Sequence, residues 1–233
     1  DDKGDAWGHG IDSFRDTIGN FKCEKIIKGE EGECSISLRC KLNFGKSEIF
    51  QEYILYDNLP YLEVKGKIFW SEKNKFLKLS FPFNLTNCEV FTEIPYGYIK
   101  RKENGNENPC QRWIDVKGIN STEEFGVGVI NNGWYGYDFY ENELRMSVLR
   151  SPVFGSFQNP EDLKEDRFYD FQSLGVNEFK YWILPHKGDL TELNTVKFSY
   201  FLNNEIEYVL PLKHNGKLPQ IFSFLKTSSE NIV

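Results

Sequence analysis

The 233-residue sequence holds a single Met, three His and five Cys, and each scarcity removes a class of chemistry. His9, His186 and His214 stand far apart, with no pair at helical or hairpin spacing, so no zinc ligand set is legible. Cys23, Cys34, Cys40, Cys88 and Cys110 are odd in number and form no CxxC or CxxxC, which argues against zinc-ribbon and redox motifs. An odd set in a chain of this size fits a reducing, cytoplasmic setting better than a disulfide scaffold. A GxSxG nucleophile elbow, a Walker loop and a GxGxxG between strand and helix are all absent. No run approaches the ~18 apolar residues of a membrane span, and there is no signal-peptide core. Basic residues number 28 against 35 acidic, a formal net charge of -7, with no basic stripe to offset it. Nucleic acid and anionic membrane surfaces are therefore poor partners. No segment sustains a 3.6-residue period, so no long helix is expected. The chain opens Asp-Asp-Lys without an initiator Met and reads as a piece of something larger.

What the sequence does have is aromatic side chains: twenty Phe, twelve Tyr and five Trp, 16% of the chain. They favour sheets by propensity and supply flat apolar faces of the kind that stack on sugars. Between Cys34 and Phe44 the alternation is clean, with Ile36, Leu38, Cys40, Leu42 and Phe44 on one side and Ser35, Ser37, Arg39, Lys41 and Asn43 on the other. Similar strands are expected at Tyr53/Leu55, from Leu62 to Trp70, at Leu77/Leu79/Phe81/Phe83, over Gln111–Gly118, at Phe179/Tyr181/Ile183 and at Val196/Phe198/Tyr200/Leu202. Turn-prone pieces such as Asp57-Asn-Leu-Pro60 separate them. This is the rhythm of an all-β antiparallel sandwich with few or no helices, and the length fits one domain over residues 1–233.

The most informative stretch runs from Phe125 to Pro152. Phe125/Val127/Val129 and Leu144/Met146/Val148 read as two strands joined by a Gly, Asn and Tyr-rich loop that carries Tyr137 and Asp138. Continuing the second strand in steps of two puts Arg150 where another core residue belongs. A guanidinium cannot shed its charge, so an inward Arg needs a carboxylate, a carbonyl or a ligand. Trp7 lies in the Gly-rich segment GDAWGHG, either as a plug on the domain surface or as an aromatic platform. Tyr137 is a sandwich plug or part of a rim, and Asp138 an Asx-turn former or part of the same rim. Asp5, Glu93, Asp138 and Asp170 are candidates by type for glycoside chemistry, though most acids are simply solvated. The residues alone lead to an aromatic-rich, sugar-friendly β-sandwich.

Several stretches taken together resemble one family: Asp5-Ala-Trp-Gly-His-Gly-Ile11, Glu93-Ile-Pro-Tyr-Gly-Tyr-Ile99, Gln111-Arg-Trp-Ile-Asp-Val116, Tyr135-Gly-Tyr-Asp138, Leu144-Arg-Met-Ser-Val-Leu-Arg-Ser-Pro152 and Phe179-Lys-Tyr-Trp-Ile-Leu-Pro-His186. In this order they resemble the C-terminal half of glycoside hydrolase family 38 α-mannosidases, a supersandwich of the galactose-mutarotase type. The resemblance implies a parent enzyme that hydrolyses terminal α-mannosides with retention, its zinc and nucleophile in an N-terminal catalytic half. It implies no metal and no catalytic residue in this fragment. The sandwich would pack on that half as its partner and lend loops to the carbohydrate site, with Trp7, Arg150, Tyr137 and Asp138 as substrate-contacting candidates. One departure is visible: where close members read Asp-x-Gly-x-His or Gln, this chain has Ser173-Leu-Gly175-Val-Asn177. Rival readings are a free-standing carbohydrate-binding module, a mutarotase-like epimerase using His186 or His9 with Glu93, and a purely structural interface domain.

Overall fold

A computed structural model describes residues 2, 4–155, 164, 167–187, 194–204, 206–210, 215–217 and 219–228. Thirteen strands and one helix are present among them. The strands are β1 (Lys22–Glu31), β2 (Ser35–Phe44), β3 (Ser47–Tyr56), β4 (Leu62–Trp70), β5 (Lys75–Pro82), β6 (Thr86–Ile94) and β7 (Gly97–Arg101). After them come β8 (Asn108–Pro109), β9 (Trp113–Asn120), β10 (Glu123–Asn131), β11 (Gly136–Tyr140), β12 (Glu143–Ser151) and β13 (Gly175–Lys187), and then α1 (Asn194–Asn203). Nine strands form one antiparallel sheet in the order β1-β2-β3-β4-β13-β10-β9-β6-β7, and four form a second in the order β5-β12-β11-β8. The all-β sandwich expected from the alternation is the observed fold.

The two inner faces close on one core. Val64, Ile68, Ile114, Val116, Val129, Phe179 and Tyr181 come from the large sheet, and Leu77, Tyr137, Phe139, Leu144 and Met146 from the small one. At the centre Gly66 faces Phe179 across the β4–β13 pair. A methyl on Gly66 would sit 2.0 Å from Phe179 Cζ, so the ring lies flat on a strand that has no side chain to lift it.

Three expectations are corrected. The connection between the two alternating runs of the Phe125–Pro152 stretch is not all loop, and it passes from β10 in the large sheet to β12 in the small one. The polar stretch between them contains β11, which pairs with β12 through a turn at Glu141 and Asn142, both at positive φ (51° and 60°). Such a pair of left-handed residues matches the twist of a hairpin. Second, Val196, Phe198 and Leu202 lie on a helix rather than a strand, packed on Tyr61, Trp113, Ile130, Trp182 and Leu184 on the outer face of the large sheet. The buried positions of α1 are Thr195 and Ser199, so its helical stripe of 195, 198, 199 and 202 is half polar and shows no apolar 3.6-residue period. Third, the strand expected at Phe179/Tyr181/Ile183 runs on through Pro185 and His186 to Lys187 as β13. His214, residues 188–193 and most of residues 156–166 fall outside the described residues.

Candidate functional site

Of the four substrate-contacting candidates, the outer face of the small sheet carries Arg150 and Asp138 and anchors the loop of Trp7. Arg145 on β12 pairs with Ser80 on β5, and Ser147 with Lys78; then the register shifts, so that Leu149 pairs with Leu77 and Arg150 with Phe76. One extra residue in a strand flips all that follow to the other face. Val148 is that residue. Arg150 therefore leaves the core series of Leu144 and Met146 and joins Arg145 and Lys78 outside, while Ser151 turns inward and accepts the Trp70 indole N–H at 2.8 Å.

Arg150 then finds its partners in the N-terminal segment. Its Nε and Nη2 donate to the two oxygens of Asp2 at 2.6 and 3.0 Å, and Nη1 donates to the carbonyl of Ala6 at 3.2 Å. The guanidinium also lies 5.0 Å from the centre of the Phe14 ring. Close by, the backbone of Ala6 donates to Phe154 (2.9 Å) and that of Val153 to Gly4 (3.2 Å). Gly8 and Gly10, at φ of 72° and 70°, turn the chain twice within four residues, a conformation other residues resist. The product is a short loop anchored on both sides with its rings outward. Trp7 is 74% exposed, so it is no plug. The rings of Trp7 and His9 stand nearly parallel, centres 6.3 Å apart with 8° between planes.

Tyr137 and Asp138 are elsewhere. Tyr137 is fully buried and pairs with Met146 on the core side; the rim role is corrected because alternation along β11 turns this ring inward. Asp138, on the opposite face, is equally buried, and it is neither a turn former nor a rim residue. Its carboxylate takes Arg15, Lys78 and Arg145 together, and Glu107 and Glu143 complete the cluster. Three carboxylates meet three cations beneath the strap formed by residues 14–17. Burial nevertheless pulls the Lys78 amine down to about 8 against the pull of Asp138.

The residues of an epimerase reading are also accounted for. Glu93 grips Arg112 through several contacts and accepts its backbone N–H at 2.7 Å; Arg112 stacks on Tyr200 of α1 at 3.7 Å. His186 Nε2 meets Asp115 Oδ2 at 2.9 Å, and that oxygen also accepts the Thr195 hydroxyl at 2.5 Å. Glycines on β10 make this possible: a Cβ on Gly126 would strike the His186 ring at 2.3 Å, and one on Gly128 would strike Thr195 at 2.5 Å. The FGVGV pattern thus seats a helix. Asn177, at the departure from the family pattern, donates to the Ser173 and Gly175 carbonyls at 3.0 and 3.3 Å and closes its own turn.

Among the described residues no group of three or more His, Cys, Asp and Glu is placed to hold a metal ion. All five cysteines are free, and no helix among the described residues is long and apolar enough to cross a membrane.

Residues 1–161 match the family model described as the glycosyl hydrolases family 38 C-terminal domain. The chain belongs to that family. α-Mannosidase 2C1 of Mus musculus is 31% identical over 165 residues, covering 67% of this chain and 14% of that protein. α-Mannosidase G of Dictyostelium discoideum is 27% identical over 221 residues, covering 86% and 18%. The chain thus spans less than a fifth of these relatives' length. An α-mannosidase structure from Enterococcus faecalis superposes with a TM-score of 0.68 at 16% identity, over 85% of this chain and 26% of that one, a likeness of fold.

Sequence reasoning missed Asp5 and His9 as a pair, and Asp2 altogether. The pair was within reach: an Asp four residues before a His, with a glycine just ahead of the His, is the spacing of a loop closed by its own carboxylate.

Proposed function

We propose that these 233 residues form one non-catalytic domain of a larger α-mannosidase, lending the Trp7 loop to the rim of a sugar site. Hydrolysis of terminal α-mannosides, with its zinc and carboxylate nucleophile, resides in a catalytic half outside this chain. The observation that carries this reading is Trp7: an indole left 74% exposed on a loop held by Arg150 and by the backbone of residues 153 and 154. Nothing in the sandwich requires that ring, and rigid exposed aromatics are what pyranose faces stack upon. Arg150 acts on the sugar through the loop, as its anchor.

Packing on the catalytic half is supported by an apolar area at the other end of the molecule. The inner face of the large sheet runs on past the small one, and there Ile26, Ile36, Leu38 and Leu55 are 65%, 44%, 51% and 54% exposed. Register pairing puts Ile36 beside Leu55 on the same face as Leu42 and Ile49, so the patch is continuous with the core and has the character of a surface made to be covered. Five free thiols support a reducing, cytoplasmic setting.

In the full protein, Trp7→Ala is expected to lower kcat/KM for a terminal α-mannoside by about threefold to tenfold, the worth of one stacked ring. The isolated chain with zinc added should leave an aryl α-mannoside intact. Turnover by the isolated chain would refute the assignment. The binding-module reading draws on the same exposed ring and differs in one respect: its affinity for mannosides would not change when the catalytic half is present.

A further inference from the structure

Beside Trp7 stands a histidine whose second ring nitrogen the fold leaves unused. The His9 side chain is 71% exposed, whereas the Asp5 side chain beneath it is only 10% exposed. Asp5 uses both oxygens on this one residue: Oδ1 accepts the His9 backbone N–H at 3.0 Å, and Oδ2 faces Nδ1 at 2.7 Å. The backbone N–H of His9, above all, holds the Asp5 carboxyl below its ordinary range. It is thus an anion that can only accept, and the ring proton must sit on Nδ1. In the neutral imidazole this leaves the lone pair on Nε2, directed away from Asp5. Asp5 is fixed in turn, since its backbone bridges to Phe154 and Gly8 donates to its carbonyl at 3.1 Å. A histidine needed only to close the loop would gain nothing from presenting its second nitrogen to solvent beside a parallel indole.

We propose that His9 Nε2 accepts a hydrogen bond from one hydroxyl of the pyranoside whose apolar face stacks on Trp7, with Asp5 as the positioning residue that fixes the tautomer. This rests on the reading of the Trp7 loop given above and adds to it a polar, hydroxyl-selective contact. A carboxylate-oriented imidazole is a better acceptor than a free one, and its direction is set before the sugar arrives. The ligand class is a neutral hexopyranoside with a free hydroxyl at the edge of the stacked face.

The test is a ligand-observed NMR titration of the full-length protein, catalytic half included, with methyl α-mannopyranoside and its 2-, 3-, 4- and 6-deoxy analogues. Loss of a single hydrogen bond weakens binding by about threefold to tenfold. Wild type should lose that much for one deoxy analogue. His9→Phe, which keeps a ring beside Trp7, should lose as much with the parent sugar and nothing further with that analogue. Asp5→Asn should weaken binding in the same direction, because an amide N–H facing Nδ1 forces the ring proton onto Nε2 and turns the acceptor into a donor. If Trp7→Ala abolishes binding while His9→Phe and Asp5→Asn bind as wild type does, the role of His9 is overturned and the Trp7 platform stands. If wild type does not bind, or binds regardless of Trp7, both fall together.

Discussion

Removing the Arg150 cation is the sharpest test of how the loop is held. The Asp2 side chain is fully buried and Arg150 is 19% exposed at its side chain, so Arg150→Met strands a carboxylate away from water. Breaking a fully buried ion pair from one side costs about 3–5 kcal/mol, and the partial exposure of Arg150 places this case at the lower end, about 3 kcal/mol. The sandwich does not depend on residues 2–11 for its core, so the cost should fall on the loop as local opening. Three kcal/mol is about a hundredfold in an opening equilibrium. Amide exchange at pH 7 should then show the Ala6 and Val153 N–H groups, which bond to Phe154 and Gly4, losing protection by about that factor while β10 and β13 hold theirs. The double variant Asp2→Ala/Arg150→Met removes the stranded charge and should recover much of the loss, leaving only the missing Ala6 contact. Protection at Ala6 and Val153 within about threefold of wild type in Arg150→Met would refute the anchoring argument.

Further expectations follow from packing and titration. Gly66→Ala forces the Phe179 ring off β4 and should cost about 2–4 kcal/mol by denaturant unfolding, since overpacking displaces a buried aromatic; a loss under about 0.5 kcal/mol would contradict the flat-ring geometry. Gly128→Ala drives Thr195 away from Asp115 and should lower the exchange protection of α1 selectively, with the sandwich strands unaffected. Burial pulls Lys78 from 10.5 down to about 8, so between those values the unfolded chain binds more protons and stability must rise with pH. Measured against Lys78→Met, which lacks this dependence, wild type should gain about 2 kcal/mol from pH 7.5 to 9.5; a flat difference would refute the buried amine. Cys110 is 5% exposed and burial pushes its thiol up to about 12, so timed iodoacetamide labelling at pH 8 should modify the exposed Cys23 and Cys34 well before it.

Strands with one wet face were legible because alternation records burial directly: β2 and β4 follow their residues almost to the end. What escaped was encoded in something other than hydrophobicity. β1, KCEKIIKGEE, is exposed along nearly its whole length and is held by its pairing with β2, which leaves no alternation to read. The helix α1 hides its period because the buried positions are Thr195 and Ser199. Arg150 was legible as an anomaly and misplaced by one residue, since nothing in Leu-Arg-Met-Ser-Val-Leu-Arg declares a bulge at Val148. Of the candidate site, Trp7 could be found from the glycines around it. Tyr137 and Asp138 could not be sorted, because a loop and a short buried strand differ only in partners that lie far off in the chain, such as Lys78 and Arg145.

The charged cluster under the strap bears on why the loop is held in this way. Asp138, Lys78 and Arg145 have side chains 0%, 8% and 9% exposed, and well-packed apolar groups of the same volume would serve stability as well or better, since desolvation offsets most of the attraction between buried charges. Apolar packing, however, has little directionality. A hydrophobic strap could slide along the small sheet by a residue with little penalty, whereas Arg15 must meet Asp138 and Glu143, and Asp2 must meet Arg150, or leave charges unpaired. Each mismatch costs several kcal/mol, so only one register of residues 2–17 is low in energy. Trp7 and His9 lie between these two fixed points and inherit their position from them. The cluster is then best understood as a device that fixes one register for the loop, and its loss should blur the loop more than it unfolds the domain.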